Sequence, residues 1–565
     1  MSWLNAIVTK GMGLTLGRSL DRRAALLDDA EHWRRRTMEI QSRQLRGLLA
    51  TAAGTEFGRG HEFARLGRLT DADMLRAYRS AVPLCDVESL RGTVARMREG
   101  GEPGVLWPGR VRYFAQTSGT TGGEKYIPVS REMLRSNYRA SIDIFANALR
   151  FGVSLERLFG GKMLFLGGST SLTRHACGTE TGDLSGIVTG LIRWPFSMFY
   201  TPGKRVALMS DWPAKIEAMA RLCVEQDVRM ISGMPSWALV LFERMRALAR
   251  EAGRRGPGGG PARVLRDLWP NLQLYVHGGV KYPPFDPRVR QAWSGDPTGP
   301  DVPARLEVYP ASEAFVAMQD TRGEPALRLL SDIGNFFEFV PLERVHDPDP
   351  PSFTADGVEK GSRYVVVLST CAGLWRYVLG DVVEFDSIPA GLDGRGGTGP
   401  CRLRIVGRHR HFVNAFGENL IVEEIERAVA AAARAVGALV GEFTAGPLYP
   451  GSSSGAALQV VVECEEGRLR GTELQRFGVE LDAALKRQNV DYTTKRTASL
   501  GMGPPEVAPV PLGTFHSWMR SRGKLGGQHK CPRCANHREY LEGVLGFAPG
   551  GHARDSEVAT AERRE

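Results

Sequence analysis

The densest group of chemically useful residues lies in QTSGTTGGEKYIPVS, which follows the apolar run VRYFA: Thr117, Ser118, Gly119, Thr120, Thr121, Gly122, Gly123 and Lys125. Glycines let a backbone come close to an anion, hydroxyls and amides donate to phosphate oxygens, and a lysine adds a mobile positive charge. A triphosphate needs that combination. The glycine and Lys-Ser/Thr spacing of a Walker loop is absent, so this is a different kind of phosphate cradle, with an ordinary Gly/Thr hairpin as the competing reading. Only 11 of the 73 basic residues are lysines, so a lysine inside a motif departs from the chain's habit and points to a required ammonium.

Four more segments carry groups of the same kind. In VYPASEAF a strand ends at Tyr309 and delivers Ser312 and Glu313, a carboxylate suited to Mg²⁺ and a ring that can stack on adenine. STCAGLWRYVLGDVVEF places Asp381 after Gly380 and before a strand, where a carboxylate can accept from ribose hydroxyls. LYVHGGVKYPPF closes a strand with His277, Gly278 and Gly279, whose glycines allow close approach of a base. In ISGMPSWALVLFERM, Ser236 and Trp237 start a helix after Pro235, and wall an apolar pocket or belong to the core with equal claim. HKCPRCANH also admits a zinc reading through His529, Cys531, Cys534 and His537, but one C-x-x-C alone is a weak signal and four ligands in nine residues are cramped.

Together these segments resemble the adenylate-forming enzyme superfamily. VPLCDVESLRG upstream of the glycine-rich loop and YIPVS downstream make the chain similar to the auxin-responsive acyl-acid amido synthetases and their bacterial relatives, from about Gln41 to Gly546. The resemblance implies that Thr117 to Gly122 and Lys125 hold ATP, that Glu313 binds Mg²⁺ and acts in catalysis beside Lys125, and that Tyr309, Ser312, His277 to Gly279 and Asp381 contact the nucleotide. Arg408 and Lys530 enter only through it. In IVGRHRHFVNAFGENLIVEEIE, Arg408 stands where the superfamily has a ribose-binding arginine at a hinge, with His409 and Arg410 in place of the commoner acidic residue. In GTFHSWMRSRGKLGGQHKCPR, Lys530 matches the catalytic lysine, whose ammonium would stabilise charge between the α-phosphate and the attacking carboxylate. Ser236 and Trp237 fall in a segment like the acid-side wall. The chain departs from the family's commoner tyrosines at Cys371 and Trp375.

What the resemblance implies is a ligase that uses ATP and Mg²⁺. A small carboxylic acid attacks the α-phosphate to give acyl-AMP and pyrophosphate, and an amine, an amino acid by the family's habit, takes the acyl group. A ligase making a thioester with coenzyme A or a carrier thiol, and a catalytically silent binder of nucleotide or small acid, are the rival readings.

These residues require an α/β scaffold. From about Val111, short β-branched or aromatic runs (VRYFAQ, KMLFLGG, QLYVHGG, RLEVYP, NFFEFVP, RYVVVLST, DVVEF) alternate with helical stretches, which gives a mixed sheet behind an opening of amphipathic helices through Leu49. The expected division is a large adenylate-forming domain over residues 1–410 and a small mobile α+β domain over residues 411–550. EEIERAVAAAARAV, LQVVVECEE and GTELQRFGVELDAALKRQN build the small domain, and a disordered polar tail over residues 551–565 follows. GRRGPGGGPAR and GLDGRGGTGP have loop composition. At 565 residues a large core is available. No apolar run nears the ~18 residues of a membrane span, the opening lacks a secretory pattern, and eight cysteines form no disulfide framework, so a cytoplasmic protein without a membrane span is expected. The net charge of +10 is spread over dispersed arginines with no nucleic-acid module, so the expected partners are small substrates and not nucleic acid.

Overall fold

The computed structural model describes residues 17–118, 124–167, 172–192, 196–209, 211–279, 282–283, 285–345, 347–408, 412–413, 420–448, 457–489, 492–493, 496, 502–522, 531–535 and 537–548. They fall into two compact units. The first takes the described residues up to 282 and from 288 to 405, and the second takes those in 283–287 and from 406 onward.

Amphipathic helices open the first unit over residues 17–28 and α1 (Ala30–Ala52), whose N-cap Asp29 accepts from the His32 amide at 2.8 Å. Its strands are β1 (Tyr113–Ser118), β2 (Glu124–Val129), β3 (Lys162–Leu166), β4 (Thr173–Arg174), β5 (Glu180–Gly182), β6 (Tyr200–Thr201), β7 (Val228–Gly233), β8 (Leu274–Gly278), β9 (Arg305–Pro310), β10 (Phe315–Gln319), β11 (Leu327–Leu329), β12 (Phe336–Pro341), β13 (Arg363–Ser369), β14 (Tyr377–Ser387) and β15 (Arg402–Arg408). Among the described residues they make a four-stranded sheet, β2-β1-β5-β4, and an eleven-stranded sheet, β12-β13-β14-β15-β11-β10-β9-β8-β7-β3-β6. All seven apolar runs read from the sequence are strands of these sheets. VRMISG and FVAMQ are strands as well, β7 and β10, which the sequence reading did not single out.

The large sheet changes character midway. β6, β3, β7, β8 and β9 run parallel, because helices return the chain between them: α2 (Arg131–Arg150) precedes β3, α3 (Trp212–Glu225) joins β6 to β7, and α4 (Pro235–Glu251) lies between β7 and β8 and packs on α3. At β9 the chain reverses through a tight turn, Ala311 N to Ala314 O at 2.9 Å, into antiparallel β10. The carboxyl ends of the parallel strands therefore share one edge, where ligands of open α/β sheets are held.

A buried ionic knot fixes the antiparallel half. Arg376, just before β14, adopts a left-handed backbone (φ 43°). Its Nε donates to Glu338 Oε2 at 3.1 Å, its Nη1 to the Arg79 and Val82 carbonyls at 2.9 and 2.7 Å, and its Nη2 to Ser352 Oγ at 2.8 Å. Arg79 donates to the other Glu338 oxygen at 3.0 Å. VPLC docks at the same place: Cys85 forms a parallel bridge with Tyr377 and exchanges backbone hydrogen bonds with Arg376 and Val378. Trp375, where the family more often has tyrosine, is buried beside Phe57, Phe63 and Trp107, and Cys371 is buried against Asn335.

In the second unit, β16 (Phe412–Val413) and β17 (Leu420–Ile421) pair and lead into α5 (Val422–Val436). A three-stranded sheet of β18 (Val440–Leu448), β19 (Ala457–Cys464) and β20 (Glu506–Pro511) follows, with α6 (Gly471–Gln488) packed on α5. Val429, Val460, Phe477 and Leu481 share its core. Cys534 is sealed in that core and Cys531 packs against a different cluster, so the two thiols do not converge on one point. No group of three or more potential metal ligands occurs among the described residues.

Replacing Glu338 by alanine strands the buried guanidinium of Arg376 without a counter-charge. We expect Glu338→Ala to destabilise the first unit by about 3–5 kcal/mol in urea titration, whereas an exposed pair such as Glu88–Arg91 should give under about 1 kcal/mol.

Candidate active site

Two chain reversals and a bulge bring charged groups to the carboxyl edge. β2 follows residues 119–123 and pairs antiparallel with β1, which sets Lys125 opposite Thr117. The β9–β10 turn holds Ser312 and Glu313, 5 % and 4 % exposed. In β14 the register against β13 slips, with Val365 opposite Val382 and Val367 opposite Val378, so that Leu379, Gly380 and Asp381 bulge where one residue faces them. Gly380 has φ 92°, a backbone that a side chain would strain. Asp381 thus lies inside a strand and not ahead of one as its sequence suggested, because β14 begins at Tyr377.

Two couplings join these elements. Lys125 Nζ donates to Glu313 Oε1 and lies 5.1 Å from the centre of the Tyr377 ring. Tyr309 OH donates to Asp381 Oδ2 at 2.5 Å. Both pairs are shielded from water, which strengthens each. The result is an ammonium, a buried carboxylate and a second carboxylate held by a phenol, the donor set that a polyphosphate, a divalent cation and a ribose call for. Tyr377 had no role in the sequence reading, although it sits within the LWRYVLGD motif.

The remaining expected residues divide. His277 lies on β8 with its ring 4.3 Å from Tyr282 and 5.6 Å from Tyr275, 3 % exposed, and its Nδ1 has no hydrogen-bond partner among the described residues. Burial first, then the nearby Arg305, pulls its pKa down to about 3, so the imidazole is neutral. At Gly278 a Cβ would stand 2.2 Å from the Val308 carbonyl, so the neighbouring strand demands that glycine; Gly279 follows β8. Trp237 is half-buried in the first turn of α4. Thr117 and Ser118 end β1, Ser236 is in the first turn of α4 and Arg408 ends β15, each placed by its backbone alone. Gly119, Thr120, Thr121, Gly122, Gly123, His529 and Lys530 lie outside the described residues.

The fold recurs in solved structures. An acyl acid amido synthetase, GH3.15, superposes with a TM-score of 0.71 at 18% identity, covering 93% of this chain and 96% of that one. A 2-hydroxyisobutyryl-CoA ligase in the postadenylation state gives 0.54 at 16% identity, covering 94% and 96%. The architecture is that of the adenylate-forming ligases. Residues 26–206 match the GH3 family N-terminal domain, 328–390 the GH3 family central domain and 423–539 the GH3 family C-terminal domain. The chain belongs to the GH3 family. It is 24% identical over 577 residues to the indole-3-acetic acid-amido synthetase GH3.8 of Oryza sativa subsp. indica, spanning 89% of each, and 24% identical over 432 residues to the jasmonoyl--L-amino acid synthetase GH3.5 of Oryza sativa subsp. japonica, spanning 63% of this chain and 69% of that one.

The buried neutral histidine has a pH signature. Between pH 6.5 and about 3 the unfolded imidazole takes a proton that the folded one refuses, so stability falls as pH falls through that window. His277→Phe should flatten this part of the acid-unfolding profile, measured by denaturation midpoints from pH 7 to 3.5.

Proposed function

We propose that this protein is an ATP-dependent acyl-acid amido synthetase that adenylates a small carboxylic acid and passes the acyl group to an amino acid. The observation that carries the reading is the convergence of the Lys125–Glu313 and Tyr309–Asp381 pairs at the carboxyl edge of the parallel strands, in a chain of the GH3 family. Its relatives' names, amido synthetases of indole-3-acetic acid and of jasmonate, support the amide product.

In this reading Lys125 serves the phosphates, and Glu313 would hold Mg²⁺, which would supply charge neutralisation at the phosphate oxygens. Asp381, steadied by Tyr309, would accept from the ribose hydroxyls; Thr117 to Gly122 and Ser312 would serve the phosphates, and His277 to Gly279 the base. Arg408 would bind the ribose. The substrate carboxylate attacks the α-phosphate while Lys530 offsets the charge that develops there. Ser236 and Trp237 wall the acid. The amino acid's amine then attacks the mixed anhydride and AMP leaves. Cytoplasmic location and small-molecule partners belong to the same reading; no helix among the described residues is long and apolar enough to cross a membrane.

The deciding assay is ATP–pyrophosphate exchange with a panel of aryl, indolic and fatty acids, followed by product analysis with amino acids or coenzyme A as acceptor. Acid-dependent exchange with amide product supports the reading. A thioester alone moves the chain to the coenzyme A ligases that share its fold, and no exchange with any acid removes it from the adenylating enzymes.

The two carboxylates should fail differently. Glu313→Gln removes charge where the metal needs it, so kcat should collapse and recover in part with added Mg²⁺. Asp381→Ala removes a grip used in ground and transition states alike, so KM for ATP should rise about tenfold or more without metal rescue. Lys530→Ala should abolish exchange while leaving ATP affinity near its normal value.

A further inference from the structure

In a chain that favours arginine, only one lysine among the described residues is fully buried: Lys215, 1 % exposed, in the first turn of α3. Its Nζ donates to the Ala207 carbonyl at 2.7 Å and to the Gly167 carbonyl at 3.1 Å, and Asp183 supplies the nearby negative charge. None of these partners belongs to α3. Gly167 follows β3, Ala207 closes the short helix Lys204–Ala207, and Asp183 caps the helix Leu184–Leu191, accepting from the Ser185 amide and hydroxyl at 2.9 and 3.0 Å.

Packing alone does not call for an ammonium there. Burying one is costly, and an apolar side chain would fill a helix–sheet interface without that cost. What the ammonium supplies is a set of donors aimed at fixed oxygens. Burial lowers its pKa to about 8, with Asp183 opposing, so it stays cationic at neutral pH.

One segment it ties, the end of β3, lies beside the end of β7, which leads into the residues proposed to wall the acid. Leu166, just before Gly167, pairs with Gly233 at the end of β7, two residues ahead of Pro235 and the α4 turn that carries Ser236 and Trp237. The same elements leave large apolar side chains in the open: Phe165 on β3, Val188 on the Leu184–Leu191 helix and Val240 on α4. Exposed apolar side chains on the elements next to the carboxyl edge are what an apolar ligand would cover.

We propose that Lys215 is a positioning residue for the acid substrate: it clamps the ends of β3 and of two short helices, and so sets the wall against which the acid's apolar part packs. This rests on the adenylating reading given above. The test compares wild type, Lys215→Met and Lys215→Arg by exchange kinetics with a short and a long acid, and by hydrogen exchange of peptides covering Lys162–Gly167 and Lys204–Met209. For Lys215→Met, KM for the acid should rise about tenfold, the preference between the two acids should shift, KM for ATP should hold, and both peptides should exchange faster. Lys215→Arg keeps the charge with a different donor geometry and should move the same acid parameters by a smaller factor, about threefold; it is the deciding variant if Lys215→Met does not fold. A folded variant with wild-type acid KM and acid preference overturns the inference while the ligase reading stands, and so does one whose ATP and acid constants change equally. A wild type that exchanges pyrophosphate with no acid overturns both.

Discussion

The guanidinium of Arg376 is the fixed point of the large unit. It is 5 % exposed, and a charge so placed is tolerated only when every donor is matched, here by Glu338, Ser352 and two carbonyls of the 79–82 segment. Because the partners come from three separate stretches of chain, satisfying one side chain brings those stretches to a fourth, its own. The next residue, Tyr377, lies beneath Lys125, and five residues on comes Asp381. The knot therefore sits one residue from the ring that faces Lys125 and one bulge from the Tyr309–Asp381 pair.

From that point the site follows from chain direction. Parallel strands put their carboxyl ends on one edge, and the reversal after β9 is the place where a turn can leave a carboxylate there. Glu313 is buried in that turn and would be costly alone; Lys125 neutralises it. Tyr309 and Asp381 form a second self-paired couple. Groups paired in this way hold their geometry before a ligand arrives, which limits the reorganisation that binding requires.

Lys215 extends the same logic to the acid side. In the proposed reading the nucleotide groups are charged and drawn from strand ends and turns, whereas Lys215 acts at one remove by tying the Gly167 and Ala207 carbonyls.

Much of this was legible in the amino-acid order. The seven apolar runs became strands because β-branched and aromatic residues suit a pleated surface buried on both faces, and the helical stretches of the second unit kept their 3.6-residue period. The glycine-hydroxyl-lysine segment stood out through residue type, while Glu313 and Asp381 stood out only in its company and through the family resemblance. Local order could not foresee that Tyr309 binds Asp381 72 positions away, that Lys125 meets Glu313 188 positions away, or that Asp381 rides a bulge inside a strand. Nor could it tell that His277 would be sealed between two tyrosines, or that Lys215 would be buried against carbonyls from other segments. Propensity and period act over a few residues, whereas the partners of a buried polar group are fixed by which distant segments the sheet order makes neighbours, and that order is set by packing of the whole core.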